Sequence, residues 1–197
     1  MNYALVTGGS SGIGREYARQ LAAKGWNLII VSNRQEDNVR VTEELTAQYG
    51  IKAEPLYADL TEVDAAEKIY NHVQRMGIEV EVLINNAGVL YPRHFRNMTQ
   101  EQVGRIIMLH NYTLSMLCHY FLPQMLENRR GYILNISSMA ATFPFPFISL
   151  YSATKAFTKV FTRALRTELR GSGVVASSIY FGAVSTNLYN LSPALRR

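Results

Sequence analysis

The chain has 197 residues, a net charge of +5, 48% hydrophobic residues and 18% charged ones. This is the composition of a globular protein able to bury a substantial core, and it excludes a disordered or fibrous chain. The basic residues are scattered rather than clustered in runs, so a phosphate-bearing small ligand accounts for the surplus better than nucleic acid does.

Cys118 is the sole cysteine, which rules out an intrachain disulfide and a cysteine metal cluster. His72, His94, His110 and His119 fall at no metal-ligand spacing, so no metal is expected. The N-terminus enters a strand pattern almost at once, without the charged and apolar regions of a secretory signal. No apolar run is long enough to span a bilayer. The expectation is a cytoplasmic protein with a small-molecule partner, no nucleic-acid partner and no membrane span.

Taken in chain order, strand-like apolar runs fall at 3–7, 27–32, 52–57, 80–85, 131–137 and 174–180. Helical periodicity falls between them, at 13–24, 37–49, 63–76, 100–127 and 151–170. Gly25, Gly50, Gly77 and Gly171 follow the ends of four of these helices, where glycine accepts the left-handed closing conformation. Thr99 with Gln102 reads as a capping box opening the helix at 100–127. Strict strand–helix alternation implies an α/β fold with a parallel sheet and helices on both faces, and the expected arrangement is a doubly wound sheet of Rossmann type, strand order 3-2-1-4-5-6. Residues 1–197 read as one dinucleotide-binding domain. The helices at 100–127 and 151–170 are apolar on more than one face, which fits burial against the sheet or against a second subunit.

Directly after the first strand comes Thr7-Gly8-Gly9-Ser10-Ser11-Gly12-Ile13-Gly14. A glycine-rich turn between strand and helix is where backbone N–H groups converge on a pyrophosphate. Glycine at 8, 12 and 14 removes side chains that would block that approach. The spacing is G-x-x-x-G-x-G, so the G-x-G-x-x-G fingerprint is not matched literally. The second strand ends Ser32-Asn33-Arg34. An NAD site places an acidic residue here for the ribose hydroxyls, whereas a guanidinium grips a 2′-phosphate. Arg34 therefore favours NADP(H), and Arg15 is a candidate second cation.

The glycine turn, Asp59-Leu60, Asn85-Asn86-Ala87-Gly88, Ile136-Ser137-Ser138 and Tyr151-Ser152-Ala153-Thr154-Lys155, in this order, resemble the short-chain dehydrogenase/reductase family along essentially the whole chain. Segments 133–138 and 150–157 are most similar to its hydroxysteroid dehydrogenase and long-chain 3-oxoacyl reductase branch. The resemblance implies that Gly8, Ser10, Ser11, Gly12, Ile13 and Gly14 hold the pyrophosphate and that Asp59 and Leu60 border the adenine. It places Asn86, Ala87 and Gly88 at the central sheet and the cofactor ribose, and makes Asn111, Ser138, Tyr151 and Lys155 the catalytic four. Tyr151 and Lys155 would also contact the cofactor. Gly182, Val184 and Thr186 would reach it from the loop after the last strand, where Phe181-Gly182 stands in place of the family's proline-glycine. Family members commonly continue past the position of Arg197 through a substrate lid, another helix and a seventh strand, so the C-terminal part is expected to be incomplete.

The chemistry of these residue types agrees. Tyr151 and Lys155 lie four apart, on one face of a helix. An ammonium beside a phenol stabilises the phenolate, turning a poor acid–base group into a usable one. Ser138, at a strand end, can donate a hydrogen bond to a substrate oxygen. Asn111 would anchor a water beside Lys155.

The segment 139–150, which holds Phe143, Phe145, Phe147 and Ile148 and is stiffened by Pro144 and Pro146, together with Leu90, Tyr91, Tyr189 and Leu191, is a candidate apolar pocket wall or a subunit contact. The expected activity is hydride transfer between NADP(H) and a carbonyl or alcohol carbon of a hydrophobic substrate, 3-oxoacyl or steroid-like, in a homodimer or homotetramer. The alternative is an NADP(H)-binding regulatory protein without turnover.

Overall fold

A computed structural model describes residues 2–143 and 145–184. Six parallel strands form one sheet in the order β3-β2-β1-β4-β5-β6. They are β1 (Tyr3–Thr7), β2 (Asn27–Ser32), β3 (Ala53–Tyr57), β4 (Val80–Asn85), β5 (Gly131–Ser138) and β6 (Val174–Phe181). The inner strands β1, β2 and β4 are near-continuous apolar runs because helices cover both of their faces. Six helices complete the alternation: α1 (Gly12–Ala23), α2 (Gln35–Tyr49), α3 (Ala65–Arg75), α4 (Gln100–Ile107), α5 (Leu114–Glu127) and α6 (Ser149–Glu168).

Strand side chains point alternately to the two faces and divide the core accordingly. Ala4, Val6, Leu28, Ile30 and Ile84 pack with Ala18 and Ala22 of α1 and with Val41 and Leu45 of α2. On the opposite face Leu5, Ile29, Val31, Leu83 and Ile133 pack with Ile69 and Val73 of α3, Phe121 and Met125 of α5, and Leu165 of α6. No helix among the described residues is long and apolar enough to cross a membrane.

Helix boundaries follow the expected punctuation. Gly25, Gly50, Gly77 and Gly171 have φ of +80°, +68°, +65° and +77°, and the Thr99–Gln102 capping box is formed in both directions. One departure bears on the site. The helix expected to run unbroken through 100–127 widens to π geometry over Met108–Thr113. The extra residue in a π turn rotates side chains away from the α register, and such turns gather at functional sites. Here it lets Leu109, His110 and Thr113 all turn into the protein, and Thr113 donates its hydroxyl to the Leu60 carbonyl at 2.8 Å.

Beside the future ligand cleft, fully buried Asn38 of α2 ties β2 to β3. Its amide donates to the carbonyls of Ser32 (3.2 Å) and Leu56 (3.0 Å), and its Oδ1 accepts from Ser32 Oγ at 2.6 Å. Asn38→Leu strands these buried groups, each costing about 1–3 kcal/mol. The variant is expected to unfold at clearly lower denaturant concentration with an unchanged m-value; an unchanged midpoint would contradict this role.

Candidate active site

Strand order reverses between β1 and β4, and in a doubly wound sheet the crevice at that switch point, beyond the carboxyl ends of the strands, is where ligands bind. A cleft of about 400 Å³ lies there. All six strands feed its walls: Gly8 and Ser10 to Ile13 after β1, Ser32, Asn33 and Arg34 at β2, 58–61 after β3, 86–91 after β4, Ile136 to Ser138 from β5, and Phe181, Gly182 and Val184 from β6. Tyr151 and Lys155 close it from α6, and Arg105 and Leu109 from the α4–π helix.

The glycine turn is shaped by its own packing as well as by what it can admit. Gly8 and Gly12 have φ of +64° and +52°, a region costly for side chains other than glycine. A Cβ on Gly8 would stand 2.9 Å from Asn86 Nδ2, and one on Gly14 would overlap both that nitrogen and the Gly8 carbonyl oxygen. Gly14 is thus demanded by the seating of α1 on the turn; it is buried and stands behind the cleft, whose lining ends at Ile13.

The β1 and β4 loops are sewn together by Thr7. Its hydroxyl donates to the Ile84 carbonyl (3.3 Å) and accepts from the backbone N–H groups of Asn86 (3.0 Å) and Ala87 (3.1 Å). Asn86 Nδ2 donates in return to the carbonyls of Thr7 and Gly8 at 3.0 and 3.3 Å. Ser11, at the N-cap of α1, makes no side-chain cap bond, so the first amides of that helix keep their capacity for an anion.

At the far end of the cleft, Ser10 Oγ donates to Ser32 Oγ at 2.9 Å. Arg34 is exposed and leans on Asp37 at 3.8 Å. Arg15 forms an ion pair with Glu44 of α2 and does not line the cleft. A cation that the sequence did not single out, Arg105, lines it 4.0 Å from Asp59. Asp59 accepts from the Thr61 backbone N–H and hydroxyl at 3.0 and 2.7 Å. Burial opposes ionisation of Asp59, but the Thr61 bonds and the Arg105 charge outweigh it, and its pKa lies below the ordinary aspartate value.

Another part of the cleft is built on β5 and α6. Lys155 is 5% exposed and donates from Nζ to the Ile136 carbonyl at 2.9 Å. Its Nζ stands 5.7 Å from the centre of the Tyr151 ring. Burial brings its pKa down to about 8, which still leaves it mostly charged at neutral pH. Ser137 donates its hydroxyl to the Lys155 carbonyl at 2.9 Å, which commits its proton to the β5–α6 junction. Ser138 Oγ accepts from the Ala140 N–H at 3.2 Å, and its own O–H can serve as a donor.

Asn111, in the π turn, does not line the cleft. Its Oδ1 is buried with no hydrogen-bond partner among the described residues, and a buried amide oxygen so placed calls for a water. Thr186, Tyr189 and Leu191 lie outside the described residues. Phe143, Phe145 and Phe147 are about half exposed and line no part of the cleft, whereas Leu90, Tyr91 and Leu109 are among its apolar lining.

Fold and cleft define a doubly wound α/β protein with a dinucleotide-type turn beside a tyrosine–lysine pair. The profile of the short chain dehydrogenase family matches residues 2–194, and the chain belongs to that family. A very-long-chain 3-oxoacyl-CoA reductase of Anas platyrhynchos is 35% identical over 196 residues, covering 96% of this chain and 62% of that protein. A 17-beta-hydroxysteroid dehydrogenase type 3 of Danio rerio is 34% identical over 191 residues, covering 93% and 61%. The chain thus spans about three fifths of the length of these curated relatives. Among solved structures, a short-chain dehydrogenase from Sphingobium yanoikuyae in complex with NADPH superposes with a TM-score of 0.92 at 30% identity, over 96% of this chain and 74% of that one.

The buried lysine yields a pH test. The folded state depresses its pKa from 10.5 to about 8, so between those values the unfolded chain holds more protons than the native one. Native stability therefore rises with pH through that window, and below pH 8 the cost of burying the ammonium is felt in full. Relative to Lys155→Met, unliganded wild-type protein is expected to gain stability between pH 7.5 and pH 10 in denaturant unfolding. A difference that stays constant with pH would contradict a buried, depressed lysine.

Proposed function

We propose that this protein is an NADP(H)-dependent oxidoreductase acting on a carbonyl or alcohol carbon of a hydrophobic substrate, of the 3-oxoacyl or steroid-like ketone class. The observation that carries the reading is the convergence of Ser138, Tyr151 and Lys155 on one end of a cleft whose other end holds Arg34 and the glycine turn. The residues fit such a cofactor: Gly8 and Gly12 leave main chain bare, the first amides of α1 are uncapped by Ser11, and no carboxylate stands at position 33 to repel a 2′-phosphate. The pyrophosphate would lie against 8–13, the 2′-phosphate near Arg34, the adenine between Asp59 and Leu60, and the nicotinamide end beside 86–88, Tyr151, Lys155, Gly182 and Val184. The nicotinamide supplies or accepts the hydride when bound. NADPH in the Sphingobium relative supports the cofactor, and the names of the curated relatives support the substrate class.

In reduction, Ser138 donates a hydrogen bond to the substrate oxygen and Tyr151 delivers the proton that oxygen needs as it gains charge. The Lys155 ammonium, held by the Ile136 carbonyl, stabilises the charge left on the phenol oxygen. Asn111 holds a water behind Lys155 through which the proton is replaced. In oxidation the same groups run in reverse. Residues 1–197 belong to one dinucleotide-binding catalytic domain, which assembles as a homodimer or homotetramer through the apolar outer faces of α4, the π turn, α5 and α6, where Ile107, Tyr112, Phe157 and Val160 are exposed.

Tyr151→Phe is expected to lower turnover of hydrophobic ketones, followed at the nicotinamide absorbance band, by about 100-fold or more with NADPH affinity nearly intact. Retained turnover would remove Tyr151 from its role. Arg34→Ala is expected to weaken NADPH about 10- to 100-fold, the size of a lost charge-assisted bond, and NADH hardly at all; equal losses would overturn the cofactor preference.

A further inference from the structure

His110 sits in the π turn, 1% exposed, and the chemistry proposed above makes no use of it. Its two ring nitrogens face different parts of the site. Nε2 accepts the backbone N–H of Val89 at 3.0 Å, in the loop that forms the wall of the cleft after β4. Nδ1 lies 2.9 Å from Thr154 Oγ1. That hydroxyl already gives its proton to the Tyr151 carbonyl at 2.8 Å, so its oxygen must accept and Nδ1 must carry the hydrogen. The two bonds fix the neutral Nδ1–H tautomer. Burial, followed by the Lys155 charge, holds the His110 pKa well below the ordinary histidine value, in keeping with that form. The ring also meets the Tyr151 ring edge to face, at 5.6 Å between centroids and 76°. A Cβ on Gly88 would come within 3.2 Å of Nε2, so the loop is seated closely on the imidazole.

We infer that His110 is a positioning residue that couples the cofactor wall of the cleft to the catalytic helix, Nε2 holding residues 88–90 and the Nδ1–H edge and ring holding Tyr151. This rests on the dehydrogenase reading for its consequence in turnover, but the link itself is a property of the site. Each end of the imidazole does a different task, so the two tasks are separable by substitution. His110→Asn places an amide nitrogen where Nδ1 was and leaves Val89 without an acceptor. His110→Gln can place an amide oxygen near the Nε2 position and leaves Thr154 without its donor.

The experiment compares wild type and both variants by NADPH affinity (nicotinamide fluorescence), by kcat at saturating NADPH with a hydrophobic ketone, and by Tm. A lost buried hydrogen bond sets the expected scale at about tenfold. His110→Asn should weaken NADPH by that factor with kcat little changed; His110→Gln should keep NADPH affinity and lose kcat by that factor. Any pattern other than this crossed one overturns the inference, including parallel losses that track a common fall in Tm. If wild-type protein turns over no ketone, the proposed reaction fails on its own account. The inference is then judged on binding alone: NADPH weaker in His110→Asn than in His110→Gln upholds it, and equal affinities overturn it.

Discussion

A positive charge buried between strand and helix organises the β5–α6 side of the cleft. An ammonium removed from water is costly unless hydrogen-bonded, and Lys155 meets that demand by donating to the Ile136 carbonyl at the end of β5. Ser137 ties the same residue from its backbone side. Helix α6 is thereby pinned to β5 at two successive strand residues. The next strand residue, Ser138, and the helical residue one turn back, Tyr151, are placed by the same docking. The polar interior continues below: Asn85 donates to Asn135 at 2.9 Å, and Asn135 to Thr162 at 2.9 Å. This ladder joins β4, β5 and α6 in register.

The cofactor end follows a different rule, in which close approach of main chain replaces charge. Asn86 fills the space that Gly8 and Gly14 leave empty, and Thr7 binds the β1 and β4 loops through three backbone groups. These contacts draw together the strand ends on either side of the topological switch. The π turn then spans both ends, with Thr113 on the Leu60 carbonyl and His110 on Val89 and Thr154. A rigid cleft results from three short hydrogen-bonded crossings rather than from any one element.

Much of this was legible in the sequence because the signals were local. The runs at 3–7, 27–32 and 80–85 are bounded by glycine or by polar residues at strand ends, and their limits coincide with β1, β2 and β4. The parallel sheet with helices on both faces followed from alternation, the helix ends from glycine placement and the capping box from the Thr99–Gln102 spacing. The π turn was not legible, since Met108–Thr113 keeps the apolar spacing of an ordinary helix and only tertiary contacts to Leu60, Val89 and Thr154 reveal it. Arg105 and Thr7 were missed because their partners, Asp59 and the 84–87 backbone, lie far away in sequence. Arg15 looked available for a phosphate until Glu44, 29 residues on, was seen to occupy it. The aromatics of 143–147 left a pocket wall and a subunit contact both open, because burial cannot be read from composition; Phe143, Phe145 and Phe147 stand half exposed and line no part of the cleft.

The charge state of Lys155 can be observed directly. In protein carrying isotopically labelled lysine, with Lys155→Met used to assign the signal, an NMR titration of the side chain should show a midpoint near the value of about 8 set by burial and an ammonium at pH 7. A midpoint at the ordinary lysine value of 10.5 would show that this residue is not buried at the strand end. A neutral amine at pH 7 would deprive Tyr151 of the cation on which the proposed proton transfer depends.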